Sequence, residues 1–263
     1  MELDTLAVIG AGNLAASVVP ALKRSGVEIT RIYSRTYKHA AALADRVNAH
    51  AVCSIPELGA AGFYLLSVTD NCIGETAALL GKTAEKDSIV IHTSGSADIS
   101  VLKPYFTNYG ALYPFQTFSA VKPVTDFSSV PVFVEAASDA VLVKLKKLAE
   151  GISEKVSVLD SEKRMGLHIA GVFSCNFVNS LLSCAFDICN EFGIAPRDLK
   201  NLVDTTVEKA FNSDNPSKVQ TGPAVRKDTV TVEKHLRFLQ ANPELQKVYA
   251  VISEYITNAN KEK

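Results

Sequence analysis

An α/β fold, a doubly wound and mostly parallel sheet followed by an all-helical domain, is what the sequence predicts. Three observations carry that expectation. Short apolar runs alternate with helical stretches as far as Leu159. Several of these runs are apolar throughout rather than alternating, as strands covered by helices on both faces should be. From Asp160-Ser161-Glu162-Lys163 onward the pattern turns helical. The expected division is therefore residues 1–159 as the sheet domain and 160–263 as the helical one.

The strand candidates are 6–9, 29–33, 62–68, 89–91, 110–113, 132–134 and 156–158. A long helix should then span about 162–192, stopped by Gly193. Pro196 should start another helix. Asn242-Pro243-Glu244 has the cap, proline and early acid of a third start. The polar tail 258–263 should fray.

Composition narrows the function classes. The chain has 263 residues, enough for one or two domains at about 150 residues each. Lys and Arg total 27 against 28 Asp and Glu, a net charge of −1. A general nucleic-acid binder needs a basic surface for phosphates, so no nucleic-acid partner is expected. The 5 cysteines form no CxxC pair, which argues against a disulfide framework or a zinc site. Free thiols in a reducing cytosol are the simpler account, and Met1-Glu2-Leu3-Asp4 does not read as a signal peptide. A cytoplasmic protein without a metal is expected. Residues 167–189 are about as long as a bilayer span. They also carry His168, Asn176, Asn179 and Asp187, each costly in lipid. A helix buried in protein, at a subunit interface for example, is expected there rather than a membrane partner.

The first strand leads into Gly10-Ala11-Gly12-Asn13-Leu14-Ala15, a GxGxxA. Gly10 permits the tight turn, Gly12 lets a pyrophosphate approach the backbone, and Ala15 keeps the following helix close to the strand. The helix-start amides, at Asn13 and Leu14, then face the phosphates with the helix dipole behind them. Strand before and helix after is the context that distinguishes this motif from a chance glycine turn. Pro20 should kink or shorten the helix. The second strand selects the cofactor. No acid stands between Ile29 and Ala44 to bond ribose hydroxyls, and the strand ends Ser34-Arg35-Thr36, with Lys38 and His39 beyond. Arg35 can fork onto a 2′-phosphate, with Ser34 and Thr36 as hydroxyl donors, so NADP(H) is expected rather than NAD.

Two later strand ends should reach the nicotinamide: Ser67-Val68-Thr69-Asp70 and His92-Thr93-Ser94-Gly95. Val68, Thr69, Ser94 and Gly95 are the contacts expected, since a Ser-Gly turn lets backbone approach a ring. Asp70 is either a site residue or a helix cap. His92 is either a site residue or a core histidine. On the long helix, His168 and Asn176 are eight residues apart (168 and 176) and share a face of a regular helix. They are a proton donor and substrate ligand, or polar groups bonded inside an interface.

The first half of the chain resembles pyrroline-5-carboxylate reductases and deazaflavin-dependent NADP reductases. The whole chain resembles a family of Rossmann-like NADP oxidoreductases whose C-terminal domain has no assigned function. The markers are His92-Thr93-Ser94-Gly95, Pro114-Phe115-Gln116-Thr117-Phe118-Ser119, His168-Ile169-Ala170-Gly171-Val172-Phe173 before Asn176-Phe177, and Thr221-Gly222-Pro223 before Arg226-Lys227-Asp228, Thr231 and His235-Leu236. Three positions depart from the family. Tyr113 replaces a histidine, Lys227 the glycine of an Arg-Gly-Asp, and Leu167 a tyrosine. The resemblance implies a helical domain that pairs with a second subunit, hence a homodimer. It names no substrate. β-Hydroxyacid dehydrogenases, similar in layout, carry a catalytic lysine one turn before an asparagine. Val172 stands there before Asn176, which disfavours that mechanism.

Together these residues describe an NADP(H)-dependent oxidoreductase of a small C=N or C=O compound, with His168 or Tyr113 as proton donor and Asn176 orienting the substrate. The alternative from another class is an NADP-binding sensor without turnover. Arg226 is either a clamp for a substrate carboxylate or half of a loop salt bridge with Asp228.

Overall fold

A computed structural model describes residues 5–119 and 121–259. The amino-terminal tetrapeptide and the last residues of the tail lie outside that range. Apolar β-rich runs form the strands where they were expected. These are β1 (Thr5–Ile9), β2 (Glu28–Tyr33), β4 (Phe63–Leu66), β5 (Ile89–His92), β6 (Tyr109–Pro114), β7 (Val132–Ala136) and β8 (Val156–Val158), and between β2 and β4 a further strand, β3 (His50–Val52), was not anticipated. Three residues are too few to show a period. The sheet order is β3-β2-β1-β4-β5-β6-β7-β8. Neighbours run parallel except β6 and β7, which are antiparallel.

Alternate residues of the parallel strands feed two cores. Leu6 and Val8 of β1 pack on one face with α1 (Ala15–Arg24), α2 (Tyr37–Val47) and α4 (Asp139–Glu150). Ala7 and Ile9 pack on the other with α3 (Ile73–Leu80). Every residue of β4 and β5 is buried, which is why these strands read as unbroken apolar runs. The chain reverses its winding between β1 and β4, so the carboxyl ends of these two strands splay into a crevice. Pro20 lies inside α1, which runs only from Ala15 to Arg24.

The chain divides into two compact units, Met1–Cys175 and Asn176–Lys263. The expected boundary at 159/160 falls earlier, at the end of β8, so α5 (Ser161–Gly171) is part of the sheet unit. After α5 come a π-turn (Val172–Phe177) and α6 (Val178–Glu191). Gly193 ends that helix at φ +66°, and the Ile194 amide bonds back to the Cys189 carbonyl at 2.8 Å. The second unit continues with α7 (Lys200–Phe211), α8 (Thr229–Phe238) and α9 (Pro243–Ala259). Asn242 caps α9, its Oδ1 accepting from the Leu245 amide at 3.2 Å. The helical span Ser161–Glu191 is long and apolar enough to cross a membrane, with mean hydropathy 1.5 over its most apolar 18 residues. None of that stretch is buried within the chain. The burial expected for it is not found among the described residues.

Candidate functional site

The glycine turn and the crevice coincide. Gly10 takes φ +102°, and a Cβ there would lie 2.0 Å from the Ser67 carbonyl oxygen. The turn thus needs glycine for two reasons, its backbone conformation and the adjacent end of β4. Its amide bonds the Tyr33 carbonyl at 2.8 Å, tying the turn to the end of β2 as well. At Gly12 a Cβ would meet nothing within 4 Å, so that residue faces open space. Leu14, at the N-cap of α1, has no side-chain oxygen to cap the helix start, and no acid stands in the first turn. An anion is the partner such a helix start favours.

This turn is one wall of a cavity of about 410 Å³. Gly10, Gly12, Ser34, Arg35, Thr36, Val68 and Thr69 line it, as expected, together with His39. Asn13, Leu14, Ser94 and Gly95 do not line it. Ile55, Cys72, Glu75 and Leu79 do, and sequence reasoning missed them. They come from the segments around β4 and α3, where no local motif marks them; their place in a doubly wound topology was the usable signal. Arg35 and His39 are exposed at the rim, the arrangement a dianionic phosphate would meet.

Ser94 and Gly95 belong to a second cluster in the same unit. The Tyr113 hydroxyl, from β6, lies 3.0 Å from Nδ1 of His168, from α5. Gly95 is the floor beneath both: a Cβ there would stand 2.6 Å from His168 Nδ1 and 2.8 Å from Tyr113 Cζ. The ring that approaches this glycine within the chain is therefore that of His168. Burial raises the Tyr113 pKa above the ordinary phenol value, against an opposing pull from the Arg164 charge. The hydroxyl stays protonated at neutral pH and can therefore donate to Nδ1 whenever that nitrogen carries no proton. Phe115 packs edge-on to Phe133 at 6.3 Å. Gly171 makes room for that phenyl ring, since a Cβ there would lie 2.8 Å from Phe115 Cε2.

The two clusters are linked. Ser96 Oγ donates to the Asp70 carboxylate, so the loop after β4 holds the loop after β5. Asp70 thus ties two loops together and is not the helix cap. Thr69 and Cys72 occupy the N-cap positions of the turns that follow, and neither uses a side-chain cap. Ser94 Oγ closes its own loop by accepting from the Ala97 amide at 2.9 Å and the Ser96 amide at 3.1 Å. His92 lies beneath it, fully buried, with Nδ1 accepting from the Ser94 amide at 3.2 Å.

Two families match parts of the chain. Residues 5–95 match the family described as NADP oxidoreductase coenzyme F420-dependent. Residues 130–256 match a domain of unknown function, DUF2520. A crystal structure from Bacteroides fragilis assigned as an NADP oxidoreductase is 34% identical, covering 97% of this chain and 98% of that one with a TM-score of 0.90. The chain belongs to this NADP oxidoreductase family. Two more distant structures share the fold. An imine reductase from Myxococcus stipitatus solved with NADP+ is 15% identical, with a TM-score of 0.70 over 98% of this chain and 94% of that one. A pyrroline-5-carboxylate reductase from Coxiella burnetii is 12% identical, with a TM-score of 0.58 over 97% and 99%. No curated protein matches the sequence.

NADP(H) is the cofactor of the family, and the residues here fit it. The space over Gly12 admits a pyrophosphate, and Arg35 with Ser34 and Thr36 supplies donors for an extra phosphate. The remaining residues of the NADP oxidoreductase lie in the other unit. Asn176 falls in the π-turn, so the shared face drawn from a regular 3.6-residue period does not carry over to it. Asp228 caps α8, accepting from the Thr231 amide at 3.0 Å and the Thr231 hydroxyl at 2.7 Å. The anticipated Arg226–Asp228 salt bridge is not among the ion pairs of the described residues. His235 Nδ1 pairs with the Tyr249 hydroxyl at 2.7 Å.

Proposed function

We propose that this NADP oxidoreductase reduces a small C=N or C=O compound, with His168 as proton donor. The observation that carries the reading is the Tyr113–His168 pair seated on Gly95 beside the carboxyl ends of the central strands. Bound NADPH would supply the hydride. The chain's own residues do the rest. Gly10, Gly12 and the amides at Asn13 and Leu14 receive the pyrophosphate. Ser34, Arg35 and Thr36 hold the 2′-phosphate, while Val68, Thr69, Ser94 and Gly95 back the nicotinamide half. Tyr113 bonds Nδ1 and passes its hydroxyl proton there as Nε2–H goes to the substrate nitrogen or oxygen, so the ring stays neutral and solvent later reprotonates the phenolate. Asn176 orients the substrate.

In this reading residues 1–159 bind cofactor and residues 160–263 bind substrate and pair two subunits. The homodimer forms through the helical part, and the free thiols suit a cytoplasmic setting. The test is kinetic. Purified protein, NADPH and a panel of imines and carbonyls should show loss of the reduced-nicotinamide absorbance. His168→Ala should lower kcat by about 10²-fold or more. A variant as fast as the parent removes the histidine from the mechanism.

A further inference from the structure

We infer that Arg164 is the positioning residue of this site: its guanidinium locks the loop 94–97 and the start of α5 onto β7, so that Gly95 and the His168 ring meet in one geometry. The inference rests on the proposed roles of His168 and the Ser94-Gly95 loop.

Arg164 is 1% exposed, the largest of the fully buried side chains. Nη1 is paired with the Glu135 carboxylate on β7, and Nη2 donates to the Ala97 carbonyl. Nη2 also reaches Ser161 Oγ at 3.2 Å. That hydroxyl lies 2.9 Å from the same Glu135 carboxylate and accepts from the Ile99 amide at 3.2 Å. One cation thus joins three segments distant in sequence: the loop after β5, β7 and the first turn of α5.

Fold stability alone is a poor explanation for this arrangement. Removing a charged pair from water costs several kcal/mol per ion, and well-packed apolar residues often do as well or better. What an arginine provides that an apolar residue cannot is directional bonding to a carboxylate and a carbonyl at once. The neighbourhood has a use for that precision. His168 lies one turn beyond Arg164, on the same side of α5. Its ring sits where even a Cβ on Gly95 would be 2.6 Å away. A small slide of α5 would drive the ring into the loop or open a gap beneath it. Misplacement by about 1 Å is enough to cost a catalytic group about 10²-fold. The same charge acts on Tyr113 and on His92, which both flank the loop.

Two variants test this. Arg164→Lys keeps the charge and loses the fork. Ser161→Ala loosens the loop without stranding a buried ion, and carries the test if the lysine variant does not fold. Each is titrated with NADPH and with 2′,5′-ADP, which has the adenosine end and the extra phosphate but no nicotinamide. The nitrogen-15 shifts of His168 report the Nδ1 bond to Tyr113. The expected result is NADPH binding weakened about tenfold and 2′,5′-ADP binding changed less than about twofold. The His168 shifts should move toward an unbonded Nδ1. Unchanged NADPH binding with unchanged shifts overturns the inference. So does equal weakening of both ligands, because that marks a general loss of folded structure. Failure of the underlying reading looks different: the parent protein itself would ignore NADPH, or His168→Ala would turn over normally, whatever the Arg164 variants do.

Discussion

His92 illustrates how one side chain can be core and site support together. Its ring is fully buried and its Nδ1 accepts from the Ser94 amide, which puts the ring proton on Nε2. Nε2 finds no hydrogen-bond partner among the described residues. Burial first, and the Arg164 charge second, lower its pKa from 6.5 to about 4, against the pull of Asp70 and Asp98. The folded state therefore resists a proton that the unfolded chain takes up below pH 6.5. Its contribution is intact above that pH and declines as pH falls toward 4, where the folded ring also titrates. Between pH 7 and pH 5 the protein should lose about 2 kcal/mol on this account. Urea unfolding of the parent and of His92→Asn at both values checks it. The variant should show a shallower pH dependence, and parallel curves would dismiss His92 as the cause.

Helix ends in the second unit make a sharper stability argument than helix interiors. Lys227 sits at φ +55°, immediately before the capping Asp228. Left-handed backbone costs a side-chain-bearing residue about 1–2 kcal/mol, whereas glycine takes it freely but loses about 0.5–1 kcal/mol of chain entropy. The resemblance places a glycine at this position in the family, and the turn explains why. Lys227→Gly should therefore stabilise the protein by roughly 0.5 kcal/mol. Asp228→Ala should destabilise it by about 1 kcal/mol through loss of the cap. Denaturation midpoints shifting in opposite directions for these adjacent substitutions support the account. A destabilising Lys227→Gly would refute the strain. The π-turn at Val172–Phe177 is a second element that follows no simple period. It is why the face that a regular period would have His168 and Asn176 share is not carried through to Asn176.

For the molecule as a whole, the unburied apolar surface is the dominant unsolved cost. The most apolar stretch of Ser161–Glu191 has no buried residue. Phe211 is 86% exposed and Tyr255 74%. An apolar helix left this exposed marks an interaction face rather than a solvent face. A net charge of −1 offers little long-range repulsion to keep two copies apart. Sedimentation equilibrium at micromolar concentration should give twice the chain mass of 28.2 kDa. A monomer at that concentration would remove the dimer and return the question of what covers the long helix.

The strands, the crossovers and the glycine turn were readable from the chain because each is local. A buried strand must be apolar wherever it packs, and a turn over a pyrophosphate needs its glycines a fixed few residues apart. β3 escaped because three residues show no pattern. The Ser34-Arg35-Thr36 cluster was equally legible, since it follows directly on its strand. Tyr113 and His168 were visible only as separate residues, and their meeting over Gly95 was not. Arg164 gave no signal at all, because an arginine in the first turn of a helix reads as a solvent-facing charge until a distant carboxylate and carbonyl are brought to it. Local chemistry is written in spacing along the chain. Contacts among β5, β6, β7 and α5 arise only when long-range packing closes, and no spacing encodes them.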